Sequence, residues 1–169
     1  IKDWLKISAD VGVPMIRMLT GYYQENEDKK KLEDMTLAGI KEVIPIAEET
    51  GTVMAVENHN SIFFSADDIL MLIKDLGTDK ITACPDPSNW VKGFLTDECE
   101  ASERETVFEG VEKLAPYATQ SHLKVAGITD DEKLFGFGDD LDRLIKLFAD
   151  ADYTGYFAFE TAGKNDLLQ

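Results

Sequence analysis

Cysteine is nearly absent from this sequence, and that scarcity excludes whole classes of protein. Cys84 and Cys99 are the only two. They make neither a disulfide framework nor the paired spacing of a structural zinc site. Basic residues are also in short supply: 17 Lys and Arg stand against 33 Asp and Glu, for a formal charge of −16. A chain of that sign repels a phosphate backbone unless a local basic patch compensates. The longest basic run, Lys29-Lys30-Lys31, has acidic neighbours and reads as the solvated start of a helix. Nucleic acid is therefore not expected as a partner, and a small neutral or metal-chelated molecule fits better. No apolar run approaches the ~20 residues that a membrane helix needs, so no membrane partner is expected. No basic-then-apolar leader opens the sequence, and cytoplasm is the default expectation. Low-complexity stretches and linkers are missing too, which leaves no sign of a second domain.

What is present is a chain of 169 residues, 44% apolar and 30% charged, enough for one domain with a real core. Helical and strand patterns alternate along it. Lys2 to Val11 reads as the end of a helix with Trp4, Leu5, Ser8 and Ala9 on one side, and Pro14 to Gly21 as a buried strand. A long helix follows over about 30–50, with Leu37, Ile40, Ile44 and Ala47 at helical spacing, a kink or lost hydrogen bond at Pro45, and a stop at Gly51. Ser65-Ala-Asp-Asp68 predicts a capping box ahead of the stripe Ile69, Leu72, Ile73 and Leu76, which ends at Gly77. Glu103 to Ala115 is a further helix with Val107, Val111 and Leu114 inward. Phe135 to Gly138 reads as a short strand or tight turn. Asp139 or Asp140 caps a helix carrying Leu141, Leu144, Ile145 and Phe148, and Gly155 opens the last strand.

Four residues stand at the ends of apolar, strand-like runs: Glu57 after Val53-Met-Ala-Val, Asp86 after Ile81-Thr-Ala-Cys-Pro, His122 in the run 118–124, and Glu160 after Gly155-Tyr-Phe-Ala-Phe. They recur roughly every 30 to 38 residues, about one strand plus one helix each time. In a parallel sheet that spacing returns each strand to the same edge. Three carboxylates and one imidazole would then converge there. An oxygen-rich set with one nitrogen suits a hard or borderline divalent cation such as Mn²⁺ or Mg²⁺. The β-then-α repeat is that of a (β/α)8 TIM barrel, of which about five βα units can be placed here. The expected fold class is therefore α/β, a C-terminal fragment of such a barrel. Residues 1–169 are expected to form a single partial domain of that barrel, with N-terminal βα units and the last helix missing.

The motifs Val-Glu57-Asn-His59, Pro-Asp86-Pro-Ser-Asn89-Trp90, His122-Leu-Lys124 and Phe-Ala-Phe-Glu160 resemble those of the xylose isomerase-like TIM-barrel superfamily of sugar isomerases and epimerases. The run Ile16-Arg17-Met-Leu-Thr-Gly21 is similar to the strand that precedes the first metal ligand there, and the likeness runs from about Val11 to Glu160. The resemblance implies a metal held by Glu57, Asp86, His122 and Glu160. Ketose 3-epimerases, hydroxypyruvate isomerase, inosose dehydratases and apurinic endonucleases belong to that superfamily. The endonucleases carry extra histidines for zinc, whereas His59 and His122 are the only two here. Val125 stands where many relatives have Asp.

Moving a proton between adjacent carbons of a hydroxy-ketone needs a base, an acid and something to hold an enediolate. Glu57 and Glu160 are the candidate catalytic pair, each doubling as a metal ligand, with Asp86 and His122 as ligands only. Mn²⁺ is the expected cofactor, with Mg²⁺ or Co²⁺ as alternatives. His59, Asn89, Lys124, Arg17 and Trp90 are candidates for substrate contact. For Arg17 a buried ion pair with an acid is expected, for Lys124 a pair with Glu57 or Glu160 is the plainer reading, and for Trp90 it is packing. The expected function is a divalent-metal-dependent sugar isomerase or epimerase acting through a metal-stabilised enediolate on a sugar or polyol. An inosose dehydratase-like enzyme acting on a cyclic polyol, and a non-catalytic barrel-fold binding protein, are the alternatives. Homo-oligomerisation stays open.

Overall fold

The computed structural model describes residues 1–59, 62–91, 99–125, 127–128, 134–135 and 140–161. The chain divides into two compact units, Ile1–Cys84 and Pro85–Gln169. Both are α/β, and strands separated by a helix pair in parallel.

The first unit runs α1 (Lys2–Asp10), β1 (Met15–Met18), α2 (Lys29–Thr50), β2 (Val53–Glu57), α3 (Ala66–Leu76), β3 (Ile81–Cys84). Its sheet has the order β1-β2-β3. Parallel neighbours need a crossover, and α2 and α3 supply it. The helix ends follow from local chemistry. Asp28 caps α2 by accepting from the Lys31 N–H, and Gly51 ends it in a left-handed conformation at φ 72° that a side chain rarely adopts. Ser65 and Asp68 close the expected capping box on α3, each side chain accepting from the other's backbone N–H. β2 is the central strand, and its Met54, Ala55 and Val56 are wholly buried, as a parallel strand covered on both faces should be. Removing the Met54 and Val56 side chains from water contributes about 1.5–3 kcal/mol each.

Three expectations need correction here. Trp4 is 64% exposed and Ala9 is exposed, so α1 buries only Leu5 and Ser8. The buried stripe of α2 is Ile40, Val43 and Ala47, with Leu37 and Ile44 half-buried. β1 is shorter than expected, and of its residues Met18 alone is buried. Pro45 lies inside α2 on its exposed side.

The second unit opens with a single 3-10 turn, Pro87–Asn89. It continues with α4 (Ala101–Leu114), a second 3-10 turn (Ala115–Tyr117), β4 (Gln120–Val125), β5 (Gly127–Ile128), β6 (Leu134–Phe135), α5 (Asp140–Asp150) and β7 (Tyr156–Thr161). β4 pairs with β7 in parallel, and β5 with β6 in a two-residue antiparallel ladder. Val107, Phe108 and Val111 of α4 pack with Leu123 and Val125 of β4 and with Leu144 and Phe148 of α5. Phe148, Tyr153 and Phe157 add a ring cluster with centroids 4.8 to 5.1 Å apart. Ile145 is exposed, and Leu147 takes the packing place expected for it. Gly155 is fixed by a close approach: a Cβ there would clash with the Thr119 carbonyl oxygen. Phe135 belongs to β6, whereas Gly136 to Gly138 and the expected cap Asp139 lie outside the described residues.

Candidate metal centre

Glu57 ends β2, Asp86 follows β3, and His122 and Glu160 lie within β4 and β7. In the first unit, Glu57 is the last residue of β2 and is wholly buried. A lone buried carboxylate is costly, and a cation relieves that cost. Arg17 provides it, with Nε 3.2 Å from Glu57 Oε2. The register explains the pair. Arg17 lies opposite Ala55, and strand alternation puts Ala55 and Glu57 on one face. Arg17 thus has its acid, yet it is not the buried residue expected, since its side chain is 37% exposed.

His59 does not continue the direction of Glu57. Its N–H donates to the Glu57 carbonyl at 3.0 Å, so the chain turns at the buried Asn58 and strand alternation stops applying. His59 is half-buried at that turn.

In the second unit, Asp86 is wholly buried and caps the turn that follows it. Its Oδ1 accepts from the Ser88 N–H at 2.9 Å, and its Oδ2 lies 3.0 Å from Lys124 Nζ. Lys124 also donates to Asn89 Oδ1. The partner of Lys124 is therefore Asp86, in place of the expected Glu57 or Glu160. The Pro85 carbonyl accepts from both the His122 N–H at 3.1 Å and Ser121 Oγ at 2.8 Å, which anchors β4 beside Asp86. Trp90 packs against the backbone of Gly110 in α4 and against the α4–α5 core.

On β4, alternation puts Gln120, His122 and Lys124 on one face. On β7 their register partners are Tyr156, Ala158 and Glu160. His122 Nδ1 accordingly lies 3.5 Å from Glu160 Oε2, and His122 Nε2 lies 2.9 Å from the Gln120 carboxamide. Asp86, His122 and Glu160 each offer a ligand atom, and all of these lie within 4.8 Å of one another.

That set fits a divalent cation on two grounds. Glu160 Oε2 is buried and accepts no hydrogen bond among the described residues, although the side chain as a whole is 38% exposed. Such an oxygen is short of a hydrogen-bond donor or a cation at bonding distance. The donors are carboxylate oxygens and one imidazole, with no thiolate, a mixture that suits Mn²⁺, Mg²⁺ or Co²⁺. Two atoms bound to one ion at ~2.2 Å are at most about 4.4 Å apart, so small side-chain adjustments suffice. Gln120 is a residue that the sequence reading missed. The one signal for it is its place two residues before His122 on the same strand.

The sequence profile described as xylose isomerase-like TIM barrel matches residues 1–169. No curated protein matches the chain significantly. Among solved structures, a D-tagatose 3-epimerase-like protein superposes with a TM-score of 0.73 at 18% identity, covering 98% of this chain and 61% of its own. The 3-keto-D-glucoside 4-epimerase of E. coli gives 0.72 at 14% identity, with 98% and 63% covered. A xylose isomerase-like TIM barrel protein from Mycobacterium smegmatis, in complex with magnesium, gives 0.70 at 19% identity, with 98% and 60% covered. At such identities the likeness is one of fold. The chain spans 60% to 63% of the length of these structures.

Proposed function

This chain belongs to the xylose isomerase-like TIM barrel family, and from that premise we propose that it carries the metal site of a divalent-metal-dependent sugar isomerase or epimerase. One observation carries the reading: Asp86, His122 and Glu160 converge, and Glu160 Oε2 is buried without a hydrogen bond among the described residues. Glu57, buried at the end of β2, is the fourth ligand in this reading. In this proposal residues 1–169 form part of one barrel domain. Mn²⁺ is the favoured ion, since the donors are oxygen-rich with one nitrogen. When bound, it would polarise the substrate carbonyl and offset the negative charge that develops on the sugar oxygens.

The chain's own residues do the rest. One of Glu57 and Glu160 takes the proton from the carbon beside the carbonyl. The electron pair left behind moves into the carbonyl to give an enediolate. The other residue, as its acid, returns a proton to the opposite face for epimerisation, or to the neighbouring carbon for isomerisation, in which case the hydroxyl proton passes to the former carbonyl oxygen. Lys124, held between Asp86 and Asn89, keeps a positive charge beside the carboxylates. Arg17 does the same for Glu57. A 3-keto-D-glucoside 4-epimerase and a D-tagatose 3-epimerase-like protein among the structural neighbours support a sugar as substrate. Two cysteines outside any disulfide suit a reducing, cytoplasmic setting.

The test is metal content and Mn²⁺ affinity of the intact protein and its Glu160→Gln variant, followed by a ketose and polyol screen with product analysis. A stoichiometric site weakened by the substitution, with mass-conserving conversion of a ketose, is the expected result. Absence of bound metal, or affinity indifferent to Glu160, overturns the reading.

A further inference from the structure

Gln120 has no part in the chemistry above, yet its carboxamide meets one ring nitrogen of a candidate ligand. The contact to His122 Nε2 is 2.9 Å. The other ring nitrogen, Nδ1, faces Glu160 Oε2 at 3.5 Å. A neutral imidazole carries a single proton, and only the nitrogen without it can bind a cation. Whatever holds Nε2 therefore decides whether Nδ1 is available. Most partners fix one answer, since a carbonyl or carboxylate only accepts. A carboxamide has an NH2 at one end and a carbonyl oxygen at the other, so it serves both.

We propose that Gln120 is a positioning residue that sets the tautomer of His122 and switches it when a divalent cation arrives; this rests on the metal reading given above. The carboxamide nitrogen lies toward Nε2 and Nδ1 faces the Glu160 carboxylate; when Gln120 donates its NH2 to Nε2, the ring proton belongs on Nδ1. With the amide turned by half a revolution, its carbonyl oxygen accepts from Nε2–H, and the Nδ1 lone pair is free for the cation. The Nδ1 proton leaves to water and Nε2 takes one from water, so the ring stays neutral. No backbone movement is needed. The cation-free site keeps a hydrogen-bonded imidazole, and the loaded site keeps its ring oriented from behind.

The experiment is made on the intact protein and pairs Mn²⁺ calorimetry with the ¹⁵N spectrum of His122 in the metal-free state. The wild type is expected to show the Nδ1–H tautomer. Glu at this position only accepts, so Gln120→Glu should move the metal-free spectrum to Nε2–H while Mn²⁺ affinity stays level or rises. Leu keeps the volume but offers neither end, so Gln120→Leu should lose ~10–100-fold in Mn²⁺ affinity. A metal-free wild type already in the Nε2–H form, a Gln120→Leu variant that binds like wild type, or a Gln120→Glu variant as weak as Gln120→Leu each overturns the switch. A wild type that binds no Mn²⁺ overturns the metal reading and the switch with it. A wild type that binds while Gln120→Leu is unaffected overturns the switch alone.

Discussion

Lys124 Nζ stands 3.0 Å from Asp86 Oδ2, and the carboxylate it neutralises is wholly buried. The Lys124 side chain itself is only 16% exposed. Taking one partner out of such a pair leaves an uncompensated charge in the interior. Lys124→Met should therefore lower the stability of the metal-free protein by about 3–5 kcal/mol. A divalent cation beside Asp86 would restore a positive partner, so saturating Mn²⁺ should recover a good part of the loss. Urea unfolding with and without Mn²⁺ checks both halves. Equal midpoints for wild type and variant in chelator would show that the pair carries no weight.

Much of the architecture was legible because it is written in local chemistry. The Ser65–Asp68 capping box, the stop at Gly51 and the alternation of helix with parallel strand each follow from a few neighbouring residues. Helix faces were less legible. α1 offers Trp4 and Leu5 side by side, and only the tertiary neighbours decide that Leu5 goes in. On α2 the inward stripe runs through Val43, which the spacing around Leu37 and Ile44 had passed over. The candidate ligands Asp86, His122 and Glu160 could be read, and the structure brings them together, although His122 lies in the middle of β4 and not at its end. Partners distant in sequence could not. No periodicity says that Lys124 pairs with Asp86, or that the turn at Asn58 redirects His59. Gln120 was passed over because a polar residue at the start of a strand carries no signal of its own.

Gly110 makes a prediction about packing. A Cβ there would stand 2.8 and 2.9 Å from two ring atoms of Trp90. Ala is the better helix former by about 1 kcal/mol, but overpacking a filled site costs about 1–3 kcal/mol. The clash is with a ring wedged into the core, so it should win. Gly110→Ala is expected to destabilise by roughly 1 kcal/mol net and to shift the emission of Trp90, read in a Trp4→Phe background. Restored stability in Gly110→Ala with Trp90→Leu would locate the strain in that contact. A variant more stable than wild type with unchanged emission would contradict it.

Acid sensitivity should be traceable in part to one surface pair. Arg143 donates to both Glu105 carboxylate oxygens, at 2.6 and 2.7 Å, while its guanidinium lies 3.6 Å from the centre of the Phe108 ring. That hydrogen bonding holds the Glu105 carboxyl below its usual range. A carboxyl lowered in the folded state stabilises above its unfolded value of about 4.3 and stops doing so as pH falls through the lowered one. The stability gap between wild type and Glu105→Gln should be constant from pH 8 to ~5 and should close below about pH 4. Both side chains are largely exposed, so salt should shrink the gap at every pH. Unfolding midpoints at neutral and acid pH, in low and high salt, decide it; a gap that widens in acid would reverse the sign argued here.

Glu160 distinguishes a functional acid from a structural one by the direction of its effect. Without metal it places a second carboxylate near Asp86, with a buried oxygen that no hydrogen bond satisfies among the described residues. Glu160→Gln removes that repulsion, so the metal-free variant should be as stable as wild type or slightly more so. In Mn²⁺ the order should reverse. At a concentration of 100 times the wild-type Kd, binding adds about 2.7 kcal/mol to the wild type, and a variant bound on the order of 100-fold more weakly gains only about 0.4 kcal/mol. The two unfolding curves should therefore cross as Mn²⁺ is added and return on chelation. A structural acid that merely pairs with His122 would behave otherwise: its loss would weaken the protein by the same amount with or without metal, and no crossing would occur.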